Sequence, residues 1–154
     1  MDLRIRYAAP GDAEAVAAFN SAMALETENL SLDPALLLAG VRAILADPAK
    51  GYYFVAESAG KIIGQTMITF EWSDWRNGAF WWIQSVYIDP ACRKRGVFRA
   101  LFGHILAETR RAGGVGLRLY VERRNRAAQS TYARLGMRPA SYEMFELDFV
   151  LHRG

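Results

Sequence analysis

The chain opens with a strand pattern followed by two helical patterns. Apolar residues alternate with arginines over residues 3–7, which predicts a β-strand. From Asp12, a predicted N-cap, apolar residues recur every three to four positions to about Leu25, which predicts a helix. A second helix is predicted over residues 33–47, with Asp33 as its N-cap.

The middle of the chain is typical of three consecutive strands. Strand-forming residues fill the segments 52–57, 61 to about 72, and 79–89. Residues 58–60 provide a tight hairpin between the first two strands, and residues 74–78 provide a turn between the next two. Such short connections predict antiparallel pairing.

Helices and strands alternate in the C-terminal part of the chain. A helix is predicted from Val97 to the glycine pair that starts at Gly113, and a strand over residues 115–121. A short helix follows, with Asn125 as its predicted N-cap and Gly136 at its end, and residues 145–149 alternate as a last strand. The order β-α-α-β-β-β-α-β-α-β predicts a mixed sheet with helices on its faces.

Composition indicates one ordinary domain over residues 1–154. Apolar residues make up 52% of the 154 residues and charged residues 23%, with no linker or repeat. No uncharged apolar run approaches the roughly 18 residues of a membrane span, and the N-terminus lacks a signal-peptide pattern. A single cysteine excludes an internal disulfide, and neither histidine has metal-ligand spacing around it. We therefore expect a cytoplasmic protein with no membrane partner and no metal.

Positive charge is concentrated in two clusters, residues 93–99 and 123–126, although the net charge is only +3. Each cluster adjoins a predicted helix start, where backbone N–H groups favour anions. Gly96 allows close approach of a ligand to the backbone, so a pyrophosphate fits the first cluster. The alternative for this cluster is a solvated basic helix start. Basic patches also suit nucleic acid, but no groove-reading motif accompanies them, and we expect no nucleic-acid partner.

Two segments resemble the GNAT acetyltransferase superfamily. Residues 93–98 are similar to its acetyl-CoA loop, Gln/Arg-x-x-Gly-x-Gly/Ala, except that Phe98 replaces a small residue. Residues 125–137 are similar to its Asn-x-x-Ala-x-x-x-Tyr-x-x-x-Gly-Phe segment. The resemblance spans nearly the whole chain and is specific over about 84–137. It implies an α/β fold with a mixed, mostly antiparallel twisted sheet of about six to seven strands flanked by about four helices.

The resemblance also implies a reaction and a set of acetyl-CoA contacts. In this family an amine attacks the acetyl-CoA thioester directly, in a ternary complex. The acceptor expected here is a small amine, an amino acid or lysine-like group, or a peptide amine. A backbone N–H near Tyr87 is expected to meet the thioester oxygen. The residues expected to bind acetyl-CoA are Val86, Tyr87, Ile88, Arg93, Lys94, Arg95, Gly96, Val97, Phe98, Arg99 and Asn125.

The sequence offers one candidate for the general acid and several for the general base. Tyr132 matches the family tyrosine that protonates the leaving thiolate, although core packing also accounts for it. Gln84 stands at or near the position of a glutamate found in many members, and a neutral amide is no base. The base is then Glu26, Glu28, Glu71 or water, and Glu26 is our catalytic candidate.

Two further questions stay open at the level of sequence. Trp72 and Trp75 could line an acceptor pocket together with Glu26 and Glu28, because aromatic faces and carboxylates suit a cationic amine. A non-catalytic acyl-CoA-binding regulatory domain of the same fold is the alternative function. A homodimer is compatible with the sequence.

Overall fold

The structure, a computed structural model, describes residues 2–151. Residues up to Tyr120 form one compact unit, and residues from Val121 form a second. Residue 1 and residues 152–154, the two ends of the predicted domain, lie outside the described residues. That residues 1–154 form a single domain stays a prediction.

The first unit contains five strands and three α-helices. In chain order they are β1 (Arg4–Tyr7), α1 (Ala13–Glu28), α2 (Pro34–Ala46), β2 (Tyr52–Ser58), β3 (Lys61–Ser73), β4 (Gly78–Ile88), α3 (Val97–Arg111) and β5 (Gly116–Leu119). The second unit contains α4 (Arg126–Arg134). Short 3-10 turns occupy Pro10–Asp12, Asp74–Arg76 and Pro90–Cys92.

The five strands form one mixed sheet in the order β1-β2-β3-β4-β5. Neighbouring strands are antiparallel from β1 to β4, whereas β4 and β5 are parallel. The parallel pair is joined through α3, as a parallel connection requires a crossover. Ala59 and Gly60, with φ of 49° and 73°, form the left-handed two-residue turn that twisted hairpins favour. The predicted mixed, mostly antiparallel sheet is confirmed.

Helices cover both faces of this sheet. On one face, Val16 of α1 and Val41 of α2 pack with Tyr53 and Val55 of β2 in a buried cluster. Side chains alternate between faces along a strand, so Phe54 points to the other side, where its ring lies 5.2 Å from that of His104 on α3. The apolar periodicities of the sequence therefore correspond to two cores, one on each face of the sheet.

The strand predicted over residues 145–149 is wrong. No strand lies within residues 138–151, and the side chains of Phe145 and Phe149 are 93% and 83% exposed. Alternation of apolar residues favours a strand, but a strand also needs a hydrogen-bonded neighbour, and this segment has none. The sheet of the described residues thus has five strands rather than six to seven, while the four α-helices agree with the prediction.

Two predictions about α1 also need correction. The helix continues past Leu25 to Glu28, because no glycine or proline interrupts it before Asn29 ends it with φ of 50°. Glu26 therefore lies in the last helical turn and not in a loop. Asp12 does not cap the helix with its side chain, since that carboxylate accepts hydrogen bonds from Arg6 and from the N–H of Ala9.

Candidate functional site

The central feature of the site is the point where β4 and β5 part. β4 pairs with β3 along its whole length, but Gln84 is an extra residue in the register between Ile83 and Ser85. Such a β-bulge bends a strand and increases its twist. β5 pairs with β4 only as far as Ile83, so beyond the bulge the outer edge of β4 carries no ladder to β5.

The hydrogen bonds of β4 show which of its main-chain groups face β3 and which face the open edge. The N–H of Asp89 donates to the carbonyl of Ile63 on β3 at 2.9 Å. Alternate residues of an antiparallel strand turn their N–H and C=O groups to the same side, so Tyr87 also faces β3. Val86 and Ile88 then direct their main-chain groups to the open edge. An extended ligand can pair with this edge as an added strand does.

Two adjoining surface pockets, each of about 250 Å³, follow this edge. Most of the residues predicted to bind acetyl-CoA line one pocket or the other. The first is lined by Met23, Glu26, Thr27, Val86, Tyr87, Ile88 and Arg93. The second is lined by Ile88, Cys92, Arg93, Lys94, Gly96, Val97 and Phe98. Folding thus brings together segments of the chain more than 60 residues apart.

Glu26 and Arg93 join the two sides of the first pocket. The guanidinium nitrogens Nη1 and Nη2 of Arg93 donate to the carboxylate of Glu26 at 2.6 and 2.8 Å, and its Nε donates to the carbonyl of Ile88 at 3.0 Å. The same guanidinium lies 5.4 Å from the ring centre of Tyr87. Arg93 lowers the pKa of Glu26, which keeps that carboxylate ionised and makes it a weaker base.

The loop before α3 has an unusual backbone. Lys94 and Gly96 both have left-handed conformations, with φ of 62° and 83°. Gly96 is the N-cap of α3 and provides no side-chain cap for the first helical N–H groups. A Cβ placed on Gly96 would meet no atom within 4 Å. The start of α3 therefore presents polar N–H groups beside open space, with the exposed Arg95 and Arg99 next to it.

Phe98 departs from the family pattern and is expected to turn its ring away from the phosphates. Its ring lies 6.1 Å from that of Phe102, which is buried on the sheet-facing side of α3. Phe98 is half-buried and still contributes to the lining of the second pocket. The bulky side chain is thus accommodated along the helix, and it leaves Gly96 uncovered.

A polar and aromatic patch lies where β4 and β5 begin to part. Gln84 donates through Nε2 to the hydroxyl of Thr69 at 2.8 Å. Glu71 accepts from the indole N–H of Trp82 at 2.7 Å and from Arg118. The side chain of Glu71 remains 42% exposed. A ligand at the open edge of β4 would therefore have a carboxylate and a guanidinium close to its end.

The predicted acceptor pocket of tryptophans with Glu26 is not formed. Trp72 pairs with Ala79 at the far end of β4, eight residues before Tyr87, which contacts Glu26. At about 3.3 Å per residue, roughly 26 Å of strand separates the two ends. Trp72 and Trp75 are exposed by 66% and 86%.

The second unit holds the two remaining predicted site residues. Asn125 accepts a hydrogen bond from the N–H of Ala128 at 3.0 Å and so caps α4 as predicted. Tyr132, on the same helix, is half-buried, and burial raises the pKa of its phenol. The hydroxyl consequently stays protonated at neutral pH.

Three pocket residues were not found from the sequence, namely Met23, Thr27 and Cys92. Met23 and Thr27 lie three residues before and one residue after Glu26 on α1. Helical spacing around Glu26 was the available signal, and the assumed end of the helix at Leu25 concealed it. Cys92 lies inside the recognised basic loop.

Residues 2–151 contain neither a candidate membrane span nor a candidate metal site. None of their helices combines the length and the apolar character needed to cross a membrane. Within the same range, no three His, Cys, Asp or Glu side chains are grouped so as to hold a metal ion.

Comparisons with known proteins agree with this geometry. The sequence model of the Acetyltransferase (GNAT) family matches residues 17–137. The crystal structure of "a possible acetyltransferase" from Clostridium difficile 630 is 44% identical in sequence, covers 97% of this chain and 99% of its own, and superposes with a TM-score of 0.89. Among curated proteins no match was found.

Two more distant structures share the fold. An aminoglycoside N-acetyltransferase, AAC(6')-Iy, in complex with CoA is 16% identical, with a TM-score of 0.78 and coverage of 96% of this chain and 95% of its own. A ribosomal-protein-alanine N-acetyltransferase from Brucella melitensis biovar Abortus 2308 is 15% identical, with a TM-score of 0.76 and coverage of 96% and 99%. The family match extends over most of the chain, and the chain belongs to the GNAT family of acetyltransferases, which uses acetyl-CoA as co-substrate.

Proposed function

We propose that this protein is an N-acetyltransferase that moves the acetyl group of acetyl-CoA directly onto a primary amine. The observation that carries the proposal is the open edge of β4 beyond Gln84, which continues through two pockets to the start of α3. An edge for an extended arm and a helix start for phosphates are the two features that CoA requires.

The arm of the substrate is held by main chain. Val86 offers its N–H and C=O groups on the open edge and Ile88 offers its N–H, since the carbonyl of Ile88 accepts from Arg93. Tyr87 forms the ladder to β3. One of these two N–H groups meets the thioester oxygen and stabilises the negative charge that grows on it during attack. Because the donor is part of a strand, it needs no rearrangement during the reaction.

The pyrophosphate is held at the loop before α3. Backbone N–H groups from Arg95 to Arg99 donate hydrogen bonds to the phosphate oxygens, and the left-handed φ of Gly96 turns the chain so that these groups can converge. Lys94 and Arg99 add positive charge at exposed positions. Asn125, also predicted to contact acetyl-CoA, keeps its side-chain NH₂ for that contact while its oxygen caps α4.

Arg93 has a different role from the residues that bind the phosphates. Its three donor nitrogens are engaged by Glu26 and by the carbonyl of Ile88. We therefore assign Arg93 and Glu26 to fixing the end of α1 against β4 at the first pocket. The lowered pKa of Glu26 suits this role better than that of a general base.

The reaction forms one bond and breaks one. The protonated amine first loses one proton to water. The neutral nitrogen then bonds to the acetyl carbon, the carbon–sulfur bond breaks, a second proton leaves the nitrogen, and one proton reaches the sulfur. Tyr132 supplies the proton to sulfur from a phenol whose raised pKa keeps it protonated. Gln84 accepts a hydrogen bond from the amine through its amide oxygen, and water carries the amine proton away.

The test is release of free thiol from acetyl-CoA with a panel of amines, together with mass detection of the acetylated product. A lysine-like amine with pKa near 10.4 is mostly protonated at pH 7, so kcat/KM should rise about tenfold per pH unit toward that pKa. Binding of acetyl-CoA without product from any amine would instead support the non-catalytic acyl-CoA-binding domain.

A further inference from the structure

Two arginines converge on one aromatic ring where β4 and β5 begin to pair. The guanidinium carbon of Arg118 lies 3.7 Å from the ring centre of Phe80, and that of Arg76 lies 4.8 Å from the same centre. The two guanidinium carbons are therefore at most about 8.5 Å apart, the sum of these distances. Both are close enough for cation–π attraction to the ring.

The ring is a fixed support for these groups. Phe80 is only 8% exposed. A Cβ on Gly116 of β5 would come within 2.7 Å of the Phe80 ring, which shows that the ring lies directly over that glycine. Guanidinium groups stacked on a fixed ring have defined planes, so their outward N–H groups are ordered before a ligand arrives.

The charges around the ring do not cancel locally. Arg118 is paired with Glu71, and the two side chains are 30% and 42% exposed. Arg76 donates to the hydroxyl of Ser73 at 3.2 Å and forms no ion pair with any carboxylate in residues 2–151. Asp74, in the same turn, accepts the N–H of Trp75. The positive charge of Arg76 is therefore not compensated by a carboxylate of the described residues.

The two guanidinium groups lie about two strand residues from the side-chain amide of Gln84. That amide bonds to Thr69, which is opposite Trp82, and Trp82 is two residues after Phe80, whose ring contacts both guanidinium groups. Two residues of strand span about 7 Å. Opposite residues of neighbouring strands point to the same face, and Thr69, which is opposite Trp82, receives the hydrogen bond of Gln84. A substrate amine at Gln84 and a second substrate group at the arginines therefore share one face.

We propose that Arg76 and Arg118 bind a carboxylate carried by the amine acceptor. This inference rests on the proposed acetyltransferase function and names its substrate class: amines that also bear a carboxylate several bonds away. Glu71 holds Arg118 in place and acts as a positioning residue. The same two guanidinium groups disfavour polycationic acceptors such as aminoglycosides.

The test compares three acceptors of equal length, namely 6-aminohexanoate, its amide and hexane-1,6-diamine. Their reacting amines are nearly equivalent, whereas the far end is negative, neutral or positive. We expect kcat/KM to fall in that order, with the acid favoured over the amide by at least about tenfold, as expected for a charge-assisted hydrogen bond. Equal rates for the three, or a preference for the diamine, would overturn the inference while leaving acetyl transfer itself established.

Arg76→Gln is the informative variant, because Arg76 is exposed and its removal leaves the Glu71 pair intact. The preference for the acid should fall at least about fivefold through a higher KM, with kcat little changed, as expected for lost ground-state binding. Arg4→Gln is the matched control, since it removes the same charge from exposed β1 at the opposite edge of the sheet. An equal loss in both variants would show a general charge effect and overturn the assignment.

A binding measurement separates this inference from the proposed function. If none of the three amines is acetylated, calorimetric titration of 6-aminohexanoate and of its amide into the CoA-saturated full chain decides the question. Tighter binding of the acid, lost in Arg76→Gln but kept in Arg4→Gln, supports the carboxylate site. Equal binding, or no binding of either compound, overturns it.

Discussion

Replacing Gly96 by glutamate separates the proposed phosphate-binding role of the loop from its role in stability. Gly113 provides a matched control at the other end of α3. The two glycines have φ of 83° and 74°, and a Cβ on either would meet no atom within 4 Å. The left-handed conformation should therefore cost both variants a similar amount, about 1–2 kcal/mol of unfolding free energy.

The helix dipole makes the stabilities of the two variants differ in a known direction. Gly96 is the N-cap of α3, where a carboxylate is favourable by about 0.3–1 kcal/mol. Gly113 lies just beyond the C-terminal end at Arg111, where a carboxylate is unfavourable by a similar amount. Gly96→Glu should thus melt a few degrees above Gly113→Glu, since about 1 kcal/mol corresponds to 2–4 °C for a chain of this size.

Acetyl-CoA binding should show the opposite order. A carboxylate on Gly96 occupies the space in front of the helix start and repels the phosphates. We expect the Kd of Gly96→Glu to rise at least about 100-fold, equivalent to about 2.7 kcal/mol. Gly113→Glu lies outside both pockets, and its Kd should stay within about twofold of the parent.

Isothermal calorimetry and thermal melting measure both quantities on the same samples. If Gly96→Glu is the more stable of the two variants and also the weaker binder, loss of fold cannot explain its weaker binding. If folded Gly96→Glu binds acetyl-CoA as tightly as the parent does, the start of α3 is not the phosphate site.

Three further substitutions test other parts of the structure. Tyr132→Phe should lower kcat at least about tenfold with little change in Tm or acetyl-CoA affinity, and full activity would reject the acid role. Glu26→Gln should raise the KM for acetyl-CoA a few-fold. Because Arg93 lowers the pKa of Glu26, this ion pair should stabilise the parent by about 0.5 kcal/mol above the usual carboxyl pKa of 4.5, and this stabilisation should be lost as the pH falls below that value. Denaturant titration at several pH values should show this loss in the parent and not in the variant. Asn20→Ala should lower the unfolding free energy by about 2–4 kcal/mol, because it leaves the buried polar groups of Tyr53 and Gln65 without their hydrogen-bond partner. A loss below about 1 kcal/mol in urea titration would show that water replaces the side chain of Asn20.

Most elements could be predicted because their signals are local. The period of apolar residues, the Asp33 and Asn125 caps and the hairpin at Ala59 each depend on a few neighbouring residues, and the structure confirms them. The signal for the loop before α3 was also local, since a strand, a glycine and a helix start follow one another over residues 85–101, and the structure has this arrangement. That the loop binds phosphate stays a prediction. Most of the residues predicted to bind acetyl-CoA line the two pockets.

What the sequence could not provide depends on distant residues. The pairing of Glu26 with Arg93 joins positions 67 apart, and no periodicity signals it. The same holds for the cluster at Phe80, in which Arg76 comes from a turn, Arg118 from β5 and the ring from β4. The strand predicted at residues 145–149 failed for a related reason, because alternation describes a residue's own preference and not the presence of a partner edge.

The bulge at Gln84 also decides which parts of the site are free to vary. Beyond it, β4 meets the proposed co-substrate through N–H and C=O groups that every residue except proline possesses. The side chains of Val86 and Ile88 can therefore change with little effect on the recognition proposed for acetyl-CoA, as long as the strand persists. The acceptor is read by side chains such as those of Arg76 and Arg118. Mutation can thus change the amine that is acetylated without rebuilding the acetyl donor's site, whereas a proline on the open edge would disrupt the donor's site.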